Sequence, residues 1–328
     1  MGNFPYIKVI GDYWDIGTAI GTRMGDKIRQ VIFQHEREVP DYHNLLQESK
    51  KYYTFTKSVF PHYIEEMEAI AAAANVPSEK YFFNNNREVY DVAEKYDHDH
   101  CTIAVSFNQN GAIIGHNEDW HISALDSLYV LHATVNGTTF LSLNYAGAIP
   151  GVAAGVNSWG LIQCINDLYQ INKFGVPKNF LARAILGCHS LNEAIGLIKD
   201  TKKASGFNHV LVQNKQVINI EIAGDEVVVD PILTETYVHT NHYLSNLKQL
   251  EKFHTQSSQC RYDRAIQIIK PNMAVQNMKD LLSDTKDTDY PICRPEETIA
   301  SLVFEPDRGV VYIAKGHPCQ NSYEEYSL

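Results

Sequence analysis

The spacing of apolar residues changes near residue 97 and divides the chain into a helical part and a strand-rich part. In residues 15–39, Ile and Met recur at four-residue steps, which is typical of one buried stripe of a helix. Residues 55–74 carry a second such stripe, and residues 78–93 are predicted to form a third helix. One short strand, Tyr6–Ile10, precedes these helices.

After Cys101 the dominant period becomes two, which indicates strands. Turn sequences separate the alternating runs, and they lie at Asn110-Gly111, Asn136-Gly137, residues 157–160, Asn214-Lys215 and residues 306–309. Predicted helices interrupt the strands after Pro177, after Ser190 and between Ser245 and Ser283. Such separate blocks predict an α+β fold of antiparallel sheets covered by helices. Because no linker divides the chain, we expect a single domain over residues 1–328.

Composition narrows the functional classes. The net charge is -11 without a basic cluster, so nucleic acid and membrane surfaces are not expected partners. The N-terminal residues lack the pattern of a signal peptide or a membrane anchor. The six cysteines, at 101, 164, 188, 260, 293 and 319, have no CxxC spacing, so we expect free thiols and a cytoplasmic location.

Cys101 is the main candidate for chemistry, because the predicted hairpin brings polar residues back beside it. If Asn110-Gly111 forms a two-residue loop, Cys101 faces Trp120, whereas a four-residue loop places it opposite Glu118. Either register returns residues 117–120 to within one strand spacing, about 4.8 Å, of Cys101.

A thiol attacks a carbonyl well only as a thiolate, so Cys101 needs a base. Breaking the His100–Cys101 bond would create one, because a new α-amine has a pKa of about 7.7–8.0. Asn117 and Asp119 share one face of their strand, and Asp119 is the candidate to orient the resulting ammonium. The attacked carbonyl also needs hydrogen-bond donors for its developing charge.

Five further segments resemble one known family in order and spacing. They are residues 117–120 after the Cys101-Thr102 pair, residues 240–243, residues 290–294, residues 298–304 and residues 316–318. This series is similar to the acyl-coenzyme A:isopenicillin N acyltransferase-like group of self-processing N-terminal-nucleophile (Ntn) hydrolases. The resemblance covers residues 101–328, while residues 1–100 match mainly in length and helical character.

The resemblance implies a four-layer αββα fold and self-cleavage before Cys101 into a helical small chain, 1–100, and a catalytic chain, 101–328. It implies Cys101 as nucleophile, Asp119 as the carboxylate near the new amine and Asn241 as an oxyanion donor. Asn117 is assigned a supporting or substrate-binding place. The acyltransferase's Ser-Arg pair before its C-terminal strand is absent, and Arg261 and Arg294 are the candidates for a nearby positive charge.

The sequence therefore predicts a cysteine amidohydrolase or acyltransferase that acts on small N-acyl amides or acyl thioesters, with hydrolysis favoured and no cofactor. One alternative is a penicillin V or bile-salt acylase-like enzyme of the same superfamily. Those enzymes lack a long leader, so the leader of residues 1–100 argues against this interpretation. A second reading is a metal-dependent hydrolase that uses the His- and Asp-rich loop of residues 97–121. The third is an uncleaved, non-catalytic binding protein.

Overall fold

The computed structural model describes residues 3–90, 101–109, 111–168, 173–251 and 253–328. Its first part consists of one strand and four helices: β1 (Tyr6–Ile10), α1 (Tyr13–Glu38), α2 (Tyr42–Val59), α3 (Pro61–Ala73) and α4 (Ser78–Asn85). The predicted helix over residues 15–39 and the predicted strand are confirmed. Asp12 begins α1 as its cap and forms a reciprocal capping box with Asp15.

The single helix predicted over residues 55–74 is wrong. The chain forms two helices there, which meet at Phe60. Proline has no backbone N–H and clashes with the preceding turn, so a helix ends before Pro61 and a new one begins on it. The apolar stripe divides accordingly, since Tyr63 and Met67 are buried in α3 whereas Val59 is 37% exposed.

The helix predicted over residues 78–93 is also shorter than expected. It ends at Asn85, where one turn of 3-10 helix, Arg87–Val89, follows. Residues 91–93 lie outside the described residues.

Fourteen strands are present in the described residues, and they form two sheets. The later ones are β2 (Thr102–Phe107), β3 (Ala112–Asp119), β4 (Leu128–Val135), β5 (Thr138–Tyr145), β6 (Ala154–Asn157), β7 (Ile162–Asp167), β8 (Phe207–Gln213), β9 (Gln216–Ala223), β10 (Glu226–Pro231), β11 (Thr236–His239), β12 (Thr298–Glu305), β13 (Val310–Lys315) and β14 (Tyr323–Ser327). One sheet has the order β1-β4-β5-β6-β7-β8-β9-β10, and the other has the order β11-β2-β3-β12-β13-β14. The expected antiparallel pairing holds except between β1 and β4, which are parallel.

The remaining helices are α5 (Lys178–Ile185), α6 (Leu191–Asp200), α7 (Gln256–Ile268) and α8 (Val275–Leu282). The two sheets pack face to face, and side chains such as Val105, Leu141 and Phe304 fill the space between them. Helices α1, α3, α5 and α6 cover the outer face of the eight-stranded sheet. Helices α7 and α8 cover the outer face of the six-stranded sheet. The four-layer αββα architecture is therefore confirmed.

The hairpin β2–β3 decides between the two predicted registers. Phe107 pairs with Ala112 and Thr102 with Asn117, which is the register of a four-residue loop. Continuing it by one residue places Cys101 opposite Glu118, and both side chains point between the sheets. Asn117 and Asp119 point instead to the helical layer of α7 and α8.

Candidate active site

Cys101 lies at the head of β2 and is buried, with 5% of its surface exposed. Its Sγ donates a hydrogen bond to Oε2 of Glu118 over 3.4 Å. The same carboxylate accepts a bond of 2.6 Å from the Tyr145 hydroxyl and one of 2.7 Å from Nε2 of His116. The nearest ionisable partner of the thiol is therefore a buried carboxylate. Sequence reasoning gave Glu118 no role, although the four-residue-loop register already placed it opposite Cys101.

The surroundings keep the thiol protonated. Burial raises the pKa of Cys101 well above its ordinary value, and the negative charges of Glu118 and Asp119 raise it further. The backbone N–H of Asp119 bonds to the sulfur and lowers this pKa by a smaller amount. In the uncut chain Cys101 is thus a thiol rather than a thiolate, and it needs a proton acceptor before it can attack.

Two side chains from distant parts of the sequence hold the backbone of Cys101. Its carbonyl oxygen accepts hydrogen bonds from Nδ2 of Asn166, at 2.8 Å, and from Nη1 of Arg261, at 3.0 Å. Arg261 also donates to Oγ1 of Thr102 at 2.8 Å. These contacts lie on the C-terminal side of Cys101, so they do not depend on an intact bond to the residue before it. Asn166 stands at the end of β7, and no local sequence pattern singled it out.

Arg261 also reaches Asn241. Its Nη2 donates to Oδ1 of Asn241 over 2.9 Å, so one guanidinium joins the Cys101 backbone to that amide. The Asn241 Nδ2 donates to the carbonyl of Asp167 over 3.1 Å, which uses one of the two amide hydrogens. The Asn241 backbone N–H donates to Oγ of Ser258, which fixes Asn241 two residues beyond the end of β11.

Asp119 lies at the end of β3 and is 1% exposed. Its Oδ2 accepts a hydrogen bond of 2.9 Å from Nη2 of Arg294. Among the residues that the structure describes, no group bonds to its Oδ1, which is also buried. A buried carboxylate oxygen with a free lone pair suits one further cationic or N–H donor.

Asn117 is held on every polar atom of its side chain. The amide nitrogen donates to the carbonyls of Leu282 and Ile292, at 2.9 and 3.0 Å, and the amide oxygen accepts from Ser301 at 2.6 Å. Asn117 thereby ties β3 to α8 and to the segment that carries Arg294.

Part of the predicted site falls outside the described residues. This applies to His100, on the amino side of the expected cut, and to residues 97–99 of the predicted metal-binding loop. Within the described part of that loop, ligand atoms of Cys101, His116 and Glu118 lie within 4.8 Å of one another. Thiolate, imidazole and carboxylate groups are common ligands of Zn²⁺ in proteins.

Two packed sheets between helical layers give the chain the architecture of the Ntn amide hydrolases and acyltransferases. The family model for acyl-coenzyme A:6-aminopenicillanic acid acyl-transferase matches residues 106–320, well over half of the chain. The chain belongs to this family. The matched segment includes Asp119, Asn241 and both arginines of the site, and it begins just after Cys101.

Individual relatives resemble the chain over part of its length. A beta-alanyl-dopamine/carcinine hydrolase from Drosophila melanogaster is 26% identical over 221 residues, covering 60% of this chain and 57% of the relative. The match therefore spans little more than half of that protein.

Solved structures show a partial backbone likeness. A mutant of conjugated bile acid hydrolase from Clostridium perfringens has a TM-score of 0.44 and 11% identity, covering 70% of this chain and 97% of that one. Penicillin V acylase from Agrobacterium tumefaciens has a TM-score of 0.46 and 12% identity, covering 66% and 82%.

None of the described helices combines the length and the apolar composition that a bilayer-spanning helix needs. The cytoplasmic location stays a prediction from the sequence.

Proposed function

We propose that the chain is a self-processing cysteine amidohydrolase. Cleavage between His100 and Cys101 would convert one domain of 328 residues into a small chain, 1–100, and a catalytic chain, 101–328. The observation that carries the proposal is the double contact of Arg261, which bonds to the Cys101 carbonyl and to Oδ1 of Asn241. It holds the candidate nucleophile and the candidate oxyanion donor in one fixed arrangement.

Each site residue has a role that its contacts support. Cys101 would be the nucleophile, and its α-amine, once freed, would take the thiol proton because its pKa lies near 7.7–8.0. The open Oδ1 of Asp119 would accept a hydrogen bond from that ammonium. The second amide hydrogen of Asn241 would bond to the oxyanion. Arg261, Arg294 and Asn117 would position these groups without touching the substrate.

The reaction would proceed through an acyl thioester. The Cys101 sulfur attacks the substrate carbonyl, the amine or thiol leaves with a proton, and water releases the carboxylic acid. We infer hydrolysis rather than transfer, because transfer needs a held acceptor. The substrates would be small N-acyl amides or acyl thioesters. The relative named a beta-alanyl-dopamine/carcinine hydrolase makes β-alanyl amines the first compounds to test.

The test compares wild type with Cys101→Ala on a denaturing gel and by intact mass. We expect fragments 1–100 and 101–328 from wild type only, and amide turnover only from the cut protein. A wild-type protein that stays full length and still hydrolyses amides would disprove the Ntn mechanism. A protein that stays uncut and hydrolyses neither β-alanyl amines nor other small N-acyl amides and acyl thioesters would instead favour a binding role.

A metal-dependent hydrolase is the second candidate, because Cys101, His116 and Glu118 bring three possible ligand atoms together. Elemental analysis of purified protein, before and after dialysis against EDTA, distinguishes the two. Stoichiometric zinc or manganese whose removal abolishes turnover would favour the metal enzyme, whereas turnover that survives full depletion would exclude it.

A further inference from the structure

The proposed self-cleavage lacks a base at the moment when it begins. The α-amine that would serve Cys101 during turnover does not exist until the bond before it is broken. The thiol is buried and protonated in the uncut chain, so another group must remove its proton first.

We propose that Glu118 is this first base, which starts self-cleavage by accepting the thiol proton of Cys101. The inference rests on the proposed function, and it adds a catalytic residue that acts on the precursor. After the cut the α-amine takes over, so one thiol uses two different bases in succession.

The geometry places Glu118 for this task. Its Oε2 lies 3.4 Å from Sγ of Cys101, in the register that makes the two residues cross-strand partners. Two donors fix the carboxylate: the hydroxyl of Tyr145 from the facing sheet and Nε2 of His116 from the same strand. Glu118 is 6% exposed, so little water competes for the thiol proton. Asp119, on the opposite face of β3, offers the sulfur only its backbone N–H.

The step balances without an external reagent other than water. Glu118 takes the proton from Sγ as the sulfur bonds to the carbonyl carbon of residue 100. The carbon–nitrogen bond to Cys101 then breaks, and Glu118 returns the proton to the leaving nitrogen. Residue 100 is now a thioester on Sγ. Water hydrolyses it, which yields the carboxylic acid of residue 100 and a free thiol and α-amine on Cys101.

The proposal separates cleavage from turnover. Glu118→Gln keeps the shape of the side chain and can still accept from Tyr145, but it is not basic. We expect this variant to cleave itself roughly 100- to 10,000-fold more slowly than wild type, the range for general acid–base catalysis. The readout is the rate of cleavage rather than turnover, because Glu118 contacts the nucleophile itself.

The experiment follows freshly translated full-length chain by intact mass, since translation supplies the uncut protein at time zero. Wild type, Glu118→Gln, Glu118→Asp and Glu118→Ala are compared, with the exposed Glu226→Gln as the matched control. Thermal unfolding establishes that each variant folds. Formate added to Glu118→Ala should restore cleavage several-fold by replacing the missing carboxylate, whereas Cys101→Ala should not respond. Glu118→Asp retains a base further from the sulfur and should cleave at an intermediate rate.

The outcomes separate the two proposals. Cleavage of Glu118→Gln at the wild-type rate would overturn the role of Glu118 and leave the proposed function intact. The variants could instead fold and cleave slowly, with no response to formate and with equal rates for Glu118→Asp and Glu118→Gln. That result would overturn the role of Glu118 as a base in favour of a positioning role. If EDTA abolishes self-cleavage of the wild type and zinc restores it, the role of Glu118 as the base would be overturned in favour of a metal. If wild type itself never cleaves, the proposed function fails with it.

Discussion

Arg183 of α5 holds Glu66 of α3 in a buried, bidentate ion pair. Its Nε and Nη2 donate to both carboxylate oxygens over 2.7–3.2 Å, and the two side chains are at most 1% exposed. The pair joins a helix that precedes Cys101 to a helix that follows it. Strand β1 crosses the same boundary, because it pairs with β4 in the eight-stranded sheet.

We therefore expect fragments 1–100 and 101–328 to remain associated after cleavage. Gel filtration without denaturant should elute both in one peak, and urea should separate them. Elution of the small chain by itself in native buffer would contradict the structure.

Removing Arg183 should lower the free energy of unfolding of the uncut chain. Arg183→Met leaves the Glu66 carboxylate buried without its partner, and breaking such a pair costs about 3–5 kcal/mol. The loss is measured by urea unfolding of Cys101→Ala with and without Arg183→Met, since Cys101→Ala is expected to stay uncut. Lys57→Gln is the matched control, because its ion pair with Glu68 is partly exposed and such pairs contribute about 0–1 kcal/mol. Equal losses in the two variants would refute the importance of burial.

Asp119→Asn should abolish turnover while the protein stays folded. The amide can still accept from Arg294, but it lacks the charge that would orient the new α-ammonium through the open Oδ1. The measurement is amide hydrolysis per cut chain, with thermal unfolding as the test of folding. Asp263→Asn, at an exposed position of α7, is the control and should behave as wild type.

Asn241→Ala should lower kcat by roughly 100- to 1,000-fold, the usual cost of one oxyanion donor. Because the lost group acts on the transition state, KM should change little. Steady-state kinetics on a β-alanyl amide measures both values, and Asn192→Ala on the exposed face of α6 serves as control. A variant with normal kcat would remove Asn241 from the site.

Acid should destabilise the fold partly through His242. Burial, together with the positive charges of His239, His254 and Arg261, lowers the pKa of His242 to about 4 from 6.5. Between these pH values the unfolded chain binds a proton at His242 that the folded chain does not bind. The contribution of His242 to the free energy of unfolding is therefore complete above pH 6.5 and is lost as the pH falls towards 4.

This difference amounts to about 3 kcal/mol at 1.36 kcal/mol per pKa unit. Urea unfolding of wild type and His242→Gln at pH 7 and pH 4.5 measures it. The variant should lose less stability over this interval. The same loss in both proteins would show that His242 titrates normally in the folded state.

Local patterns predicted much of the secondary structure. The four-residue stripe of α1 and the Asn136-Gly137 turn depend on neighbouring residues only, and the structure has both. Asn136 and Gly137 have φ values of 49° and 78°, the backbone that a two-residue hairpin requires. The prediction over residues 55–74 failed because the apolar stripe was given more weight than Pro61.

The sequence by itself determined α1 and the hairpin turns, and it indicated that residues 117–120 return beside Cys101. It left two registers open, and the tertiary structure decided that Glu118 faces the thiol. It also contained no sign that Asn166 and Arg261, 65 and 160 residues away, hold the Cys101 carbonyl. The period of apolar residues indicates only the type and the buried face of one element. The partners of a buried thiol depend instead on how the two sheets and α7 pack together.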